Sequence, residues 1–100
     1  MARLLVEVGY AVLEAPGPHW ALELAREYAK AIRLLVTDVR MPRMTGVELA
    51  GHFSLLAPDA GILLMSGDHD LREIVHPFLA KPFTPAELLT AVAGVLPAAR

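Results

Sequence analysis

Helix-like and strand-like stretches alternate along this 100-residue chain, which predicts one α/β domain built on a parallel sheet. Two observations carry that expectation. Short runs of near-continuous hydrophobicity, Leu34-Leu35-Val36-Thr37, Ile62-Leu63-Leu64-Met65 and Phe78-Leu79-Ala80, have the length and character of strands buried on both faces. Each run then stops on a polar side chain and a turn: Asp38 before Val39-Arg40-Met41-Pro42-Arg43-Met44-Thr45-Gly46, Ser66 before Gly67, and Lys81 before Pro82-Phe83. Three successive strand ends therefore present an acid, a hydroxyl and an ammonium at one rim, where α/β proteins carry their chemistry.

Taken in order, residues 1–8 read as the end of a helix, with Gly9 as its stop. Tyr10 to Ala15 reads as a strand closed by Pro16-Gly17-Pro18. His19 to Lys30 reads as a helix whose core face is Trp20, Leu24 and Tyr28 at four-residue spacing, with Glu23, Arg26, Glu27 and Lys30 toward water. The strand at 33–38 and its loop follow. Gly46 to Leu56 places Val47, Leu49, Ala50 and Phe53 at helical intervals and ends before Pro58. Residues 62–65 and 78–80 are the remaining strands. Thr84, Pro85 and Glu87 start a last helix that runs to about Leu96.

Composition sets the limits on function. With 55% apolar residues and a mean hydropathy of +0.47, the chain can bury a real core. Nine basic and eleven acidic side chains leave a net charge of −2, with no basic cluster to meet nucleic acid. The absence of cysteine excludes disulfides and thiolate metal sites. No apolar run approaches the roughly 20 residues that span a bilayer, and the start is too short and too soon charged for a signal peptide. A cytoplasmic protein is expected. Asp68-His69-Asp70 with His76 lacks the i, i+4 histidine pair of a metal site and reads as a solvated loop. Without a nucleophile elbow or a Gly-rich phosphate loop, a hydrolase or nucleotide-binding protein has no support, and no enzyme is expected.

A carboxylate at the mouth of a crevice is a nucleophile toward a phosphoryl donor when cations offset the charge that builds on the oxygens. Asp38 fits that role, a divalent ion such as Mg²⁺ would bridge acid and phosphoryl group, and Lys81 would supply a second cation. Because the chain has seven Arg and only two Lys, a lysine at 81 stands out. Ser66 adds a hydroxyl donor.

The order of Asp38, Met41-Pro42-Arg43-Met44-Thr45-Gly46, Ser66 after an apolar strand, and Lys81-Pro82-Phe83 resembles the receiver domain of two-component response regulators. Matching motifs run from about Gly9 to Leu96. The resemblance implies a flavodoxin-like (CheY-like) doubly wound parallel sheet of order 2-1-3-4-5, with helices on both faces. It also implies that Asp38 is the phosphoacceptor and that Asp38 and the backbone carbonyl of Arg40 hold the metal. Ser66 would bond the phosphorylated Asp38, its movement coupled to an aromatic that by position is Phe78, although a plain core role for Phe78 stays open. Lys81-Pro82 would be a cis peptide.

The departures bear on function. Receivers begin with a strand ending in two adjacent acids that complete the Mg²⁺ site, and no such strand or pair precedes Gly9, so a 1–100 receiver-like domain lacking its first strand and half of its first helix is expected. The strands at 10–15 and 33–38 would then each show an unpaired edge, to be filled by their direct pairing, by a second copy or other strand-complementing chain, or by upstream residues. About ten residues between Gly67 and Phe78 leave room for only a shortened fourth helix, as in receivers attached to hybrid histidine kinases. The expected function is phosphoryl acceptance at Asp38 from a histidine kinase or phosphotransfer protein, impaired by the weakened Mg²⁺ site. The alternative is a phosphorylation-independent interaction module using 67–77 and the last helix; a metal-dependent phosphatase would need the same missing acids. The chain ends four residues past Leu96, and no output domain is expected.

Overall fold

A computed structural model describes residues 2–41, 43–67 and 76–97. Asp68-His69-Asp70, the expected short fourth helix and most of the 67–77 face lie outside the described residues. In chain order the elements are α1 (Ala2–Glu7), α2 (Pro18–Tyr28), β1 (Leu34–Asp38), α3 (Gly46–Leu56), β2 (Gly61–Ser66), β3 (Phe78–Ala80) and α4 (Pro85–Val95). The three strands form a parallel sheet in the order β1-β2-β3.

Helices cover both faces, and strand alternation explains how. Leu63 of β2 points to a cluster with Leu5 of α1 and Leu88 and Val92 of α4, joined at its margin by Leu34 and Val36. Ile62 and Leu64 point the other way onto Ala50 of α3, and Leu35 reaches the cluster of Leu22, Ala25, Leu49, Phe53 and Ala57 that joins α2 to α3.

The helix ends follow from local chemistry. Gly9, at φ +104°, closes α1: its N–H donates to Val6 O at 3.0 Å and that of Tyr10 donates to Leu5 O at 3.0 Å, the paired bonds of a Schellman motif. Thr45 and Glu48 form a capping box on α3, as do Thr84 and Glu87 on α4, each satisfying two otherwise orphaned N–H groups. Hydrogen bonds from the backbone and hydroxyl of Thr84 hold the fully exposed Glu87 carboxyl below the usual glutamate range.

Three expectations are corrected. Residues 10–15 form no strand. With no neighbour to complete a ladder, their backbone stays outside the sheet, although Tyr10 and Val12 still pack on the α1/α4 cluster. On α2 the buried residues are Leu22 and Ala25, while Trp20 and Tyr28 are 59% and 42% exposed. The face of Leu22 and Ala25 packs instead against Leu49 and Phe53 of α3, which turns the ring-bearing stripe toward water. Val47 of α3 is likewise exposed rather than core.

Candidate functional site

Asp38, Ser66 and Lys81 come together at the C-terminal rim of the sheet. Register places them there: Asp38 stands opposite Met65, and Ser66 opposite Ala80. The backbone then fixes the loops. Val39 N–H donates to Met65 O at 2.9 Å, and Lys81 N–H donates to Ser66 O at 2.8 Å, so the ladder continues one residue past each strand and carries Lys81 to the side of Ser66. Lys81-Pro82 is cis, as the resemblance implies.

The side chains line an open cleft of about 420 Å³ formed by Asp38, Arg40, Met65, Ser66, Gly67 and Lys81. Lys81 Nζ forms an ion pair with Asp38 Oδ1. Oδ1 itself is shielded from solvent. Both side chains are more than two-fifths exposed overall, so water screens the pair and its worth to stability is at most about 1 kcal/mol. Ser66 is buried.

Two features escape a reading of the sequence. Thr37 is buried between Leu-rich neighbours, its hydroxyl donating to Asp38 O at 3.2 Å and lying 3.5 Å from Met41 Sδ, which ties strand end to loop. Gly46 is the sharper case. A Cβ there would stand 2.0 Å from Asp38 O and 2.8 Å from its carbonyl carbon, and Gly46 N–H donates to Val39 O at 2.7 Å. Only glycine lets α3 start against the backbone of the acid. Arg43 in the same loop sits at φ +71°, a left-handed conformation unusual for its type.

Phe78 lies on β3, an outer strand of the sheet among the described residues, and is 46% exposed rather than buried in the core.

The resemblance implies Mg²⁺, and the donor set can be tested against it. Asp38 supplies one carboxylate, its Oδ1 shielded from solvent and paired with Lys81 Nζ, and Arg40 lines the same cleft. Among the described residues, however, no three His, Cys, Asp or Glu side chains gather to hold a metal ion. Mg²⁺ demands six oxygens in near-octahedral array and gives up water reluctantly, so one carboxylate and one carbonyl do not fit a resident ion.

No helix among the described residues is long and apolar enough to cross a membrane. The chain is 34% identical over 101 residues to the sensor kinase CckA of Brucella abortus and 28% identical over 95 residues to the two-component response regulator ARR14 of Arabidopsis thaliana. It spans only 11% and 25% of the lengths of those proteins, against 94% and 88% of its own. Among solved structures, the receiver domain of the hybrid histidine kinase CckA superposes with a TM-score of 0.83 at 37% identity, covering 95% of this chain and 84% of that one. The response regulator TrrA of Thermotoga maritima, in complex with Mg²⁺–BeF, gives 0.78 at 26% identity, with 94% and 84% covered. The sequence pattern of the response regulator receiver domain matches residues 1–93, and the chain belongs to that family.

Proposed function

We propose that this chain accepts a phosphoryl group on Asp38 from the phosphohistidine of a histidine kinase or phosphotransfer protein. The observation that carries the reading is the shared cleft of Asp38, Ser66 and Lys81. An Asp38 carboxylate oxygen attacks phosphorus; the new O–P bond forms as the P–N bond to the donor imidazole breaks, the electron pair leaving with the ring nitrogen. Lys81 moves its charge from the carboxylate to the phosphoryl oxygens, and the Ser66 hydroxyl donates to one of them. Phe78, half-exposed on β3 two residues before the Ala80 that stands opposite Ser66, would carry the coupled aromatic role that the resemblance implies. The chain is thus a substrate of its donor rather than an enzyme, and it acts in the cytoplasm, where such donors present their phosphohistidine.

Transfer is slow in this form, because the described residues offer a divalent ion one carboxylate and the Arg40 carbonyl. That same shortage favours a second reading, an interaction module that works without phosphorylation. One experiment separates them. The chain and Asp38→Asn are incubated with acetyl phosphate and Mg²⁺ and followed by intact mass. A slow gain of one phosphoryl group that disappears in the variant is expected. No gain, from acetyl phosphate or from a phosphorylated kinase, together with kinase binding that survives Asp38→Asn, establishes the module instead.

A further inference from the structure

α2 meets the rest of the domain through Leu22 and Ala25 and turns the indole of Trp20 outward on the opposite side. Glu23, Leu24 and Glu27 follow Trp20 at three, four and seven residues, so they stand beside it on that outer side. Together with Arg26 they line an open groove of about 430 Å³, large enough for a side chain rather than a single ion. Because this surface lies away from the core, it does not depend on the make-up of the sheet. Its charge is one-sided. Arg26 Nη1 donates to Glu23 Oε1 at 2.7 Å, so the guanidinium of the groove is already engaged, while the Glu27 carboxylate pairs with no described residue. Lys30 lies past the end of α2 and does not line the groove. A surplus carboxylate therefore stands beside an indole, whose face also attracts cations, and ring and charge select the same kind of guest. The His19 ring, T-shaped to the indole at 6.2 Å between centroids, restrains it.

We propose that this groove docks an amphipathic helix of a partner protein, which sets an apolar side chain against Trp20 and Leu24 and lays an arginine over the indole toward Glu27. The shape of the partner follows from the surface. The backbone groups of α2 are already paired within the helix, so an extended segment finds no edge to join, whereas a second helix can match the four-residue spacing of Trp20 and Leu24. Arginine is favoured over lysine because its planar fork stacks on a ring and bonds a carboxylate at once. A second copy of this chain fits poorly: an isologous pair of antiparallel α2 helices sets like flank against like flank, so Glu23 and Glu27 would face their own counterparts. The inference does not depend on phosphorylation of Asp38.

Trp20 is the only tryptophan of the chain, so its fluorescence reads the groove directly. The probe is a synthetic helical peptide of alanine and leucine, with leucines at i and i+4 and one flanking arginine. Two control peptides carry in its place citrulline, which keeps the arginine shape without the charge, or glutamate. The arginine peptide, raised to about 1 mM, should move Trp20 emission to shorter wavelength in a saturable way. The citrulline peptide should bind at least about threefold more weakly, and the glutamate peptide should cause no shift. Glu27→Gln should weaken the arginine peptide about two- to fivefold and leave the citrulline peptide unchanged. Trp20→Ala, followed through the amide NMR shifts of α2, should lose the response to the arginine peptide while its melting temperature stays that of the wild type. Equal affinity for the arginine and citrulline peptides, a shift with the glutamate peptide, no shift with any peptide, or a shift that grows with protein concentration without peptide each overturns the proposal.

Discussion

The two flanks of Asp38 are built to different standards. On the β2 side the strand is buried from Ile62 to Ser66, the ladder extends past both strand ends, and Lys81 is delivered against the carboxylate. On the other side β1 is half-buried, and among the described residues its outward peptide groups meet no strand and no three His, Cys, Asp or Glu side chains gather. The comparison teaches that the two flanks of the cleft rest on separate scaffolding, so one can be closely packed while the other is open.

The largest effect should come from the core that supports the better flank. Leu63→Ala removes a fully buried side chain of β2 and should cost about 2–5 kcal/mol, whereas Leu34→Ala on half-buried β1 should cost about 1 kcal/mol or less. Urea midpoints measure both, and equal losses would break the comparison. Next is Gly46→Ala, which forces a Cβ onto the Asp38 carbonyl and should lower stability by about 1–3 kcal/mol. Gly51→Ala, with nothing within 4 Å of the new Cβ, should instead stabilise α3 by about 0.5–1 kcal/mol. Thermal melts of the two variants that move in the same direction would sink the close-approach argument.

Lys81→Met sharpens the contrast from the functional side. Its screened ion pair predicts a stability change within about 1 kcal/mol, while acetyl phosphate labelling of Asp38 should fall well below the slow wild-type rate. The smallest effect concerns acid. Because the folded state lowers the Glu87 carboxyl, the box it forms with Thr84 stabilises α4 fully above the ordinary glutamate range and loses that contribution as pH falls through the folded value. Glu87→Gln should therefore flatten the acid side of a stability-against-pH curve, and an unchanged curve counts against the capping account.

How much of this was legible in sequence depended on whether the signal was local. The apolar runs ending at Asp38, Ser66 and Lys81 announced strands because length and hydrophobicity are properties of the run itself, and the box at Thr84 and Glu87 needs only its own three-residue spacing. Trp20, Leu24 and Tyr28 misled because α2 carries two apolar stripes. The choice between them lies in α3, whose Leu49 and Phe53 accept Leu22 and Ala25 at close range. Residues 10–15 have strand composition, but a strand is a relation between two segments and no described segment pairs with them. Phe78 resisted assignment because the cover over an edge strand is decided by the rest of the sheet. Gly46 owes its identity to a carbonyl eight positions earlier, a contact that only the folded loop reveals.

That last contact governs which changes residue 38 tolerates. With α3 seated on its carbonyl, residue 38 has its main chain clamped while its side chain looks into an open cleft. Asparagine or glutamate could replace the aspartate with little disturbance to the architecture, altering chemistry alone. A single methyl at position 46 would leave every reactive group in place by name and still spoil their alignment. A change of side chain at 38 leaves that clamp alone, whereas any side chain at 46 presses on the backbone of residue 38 itself.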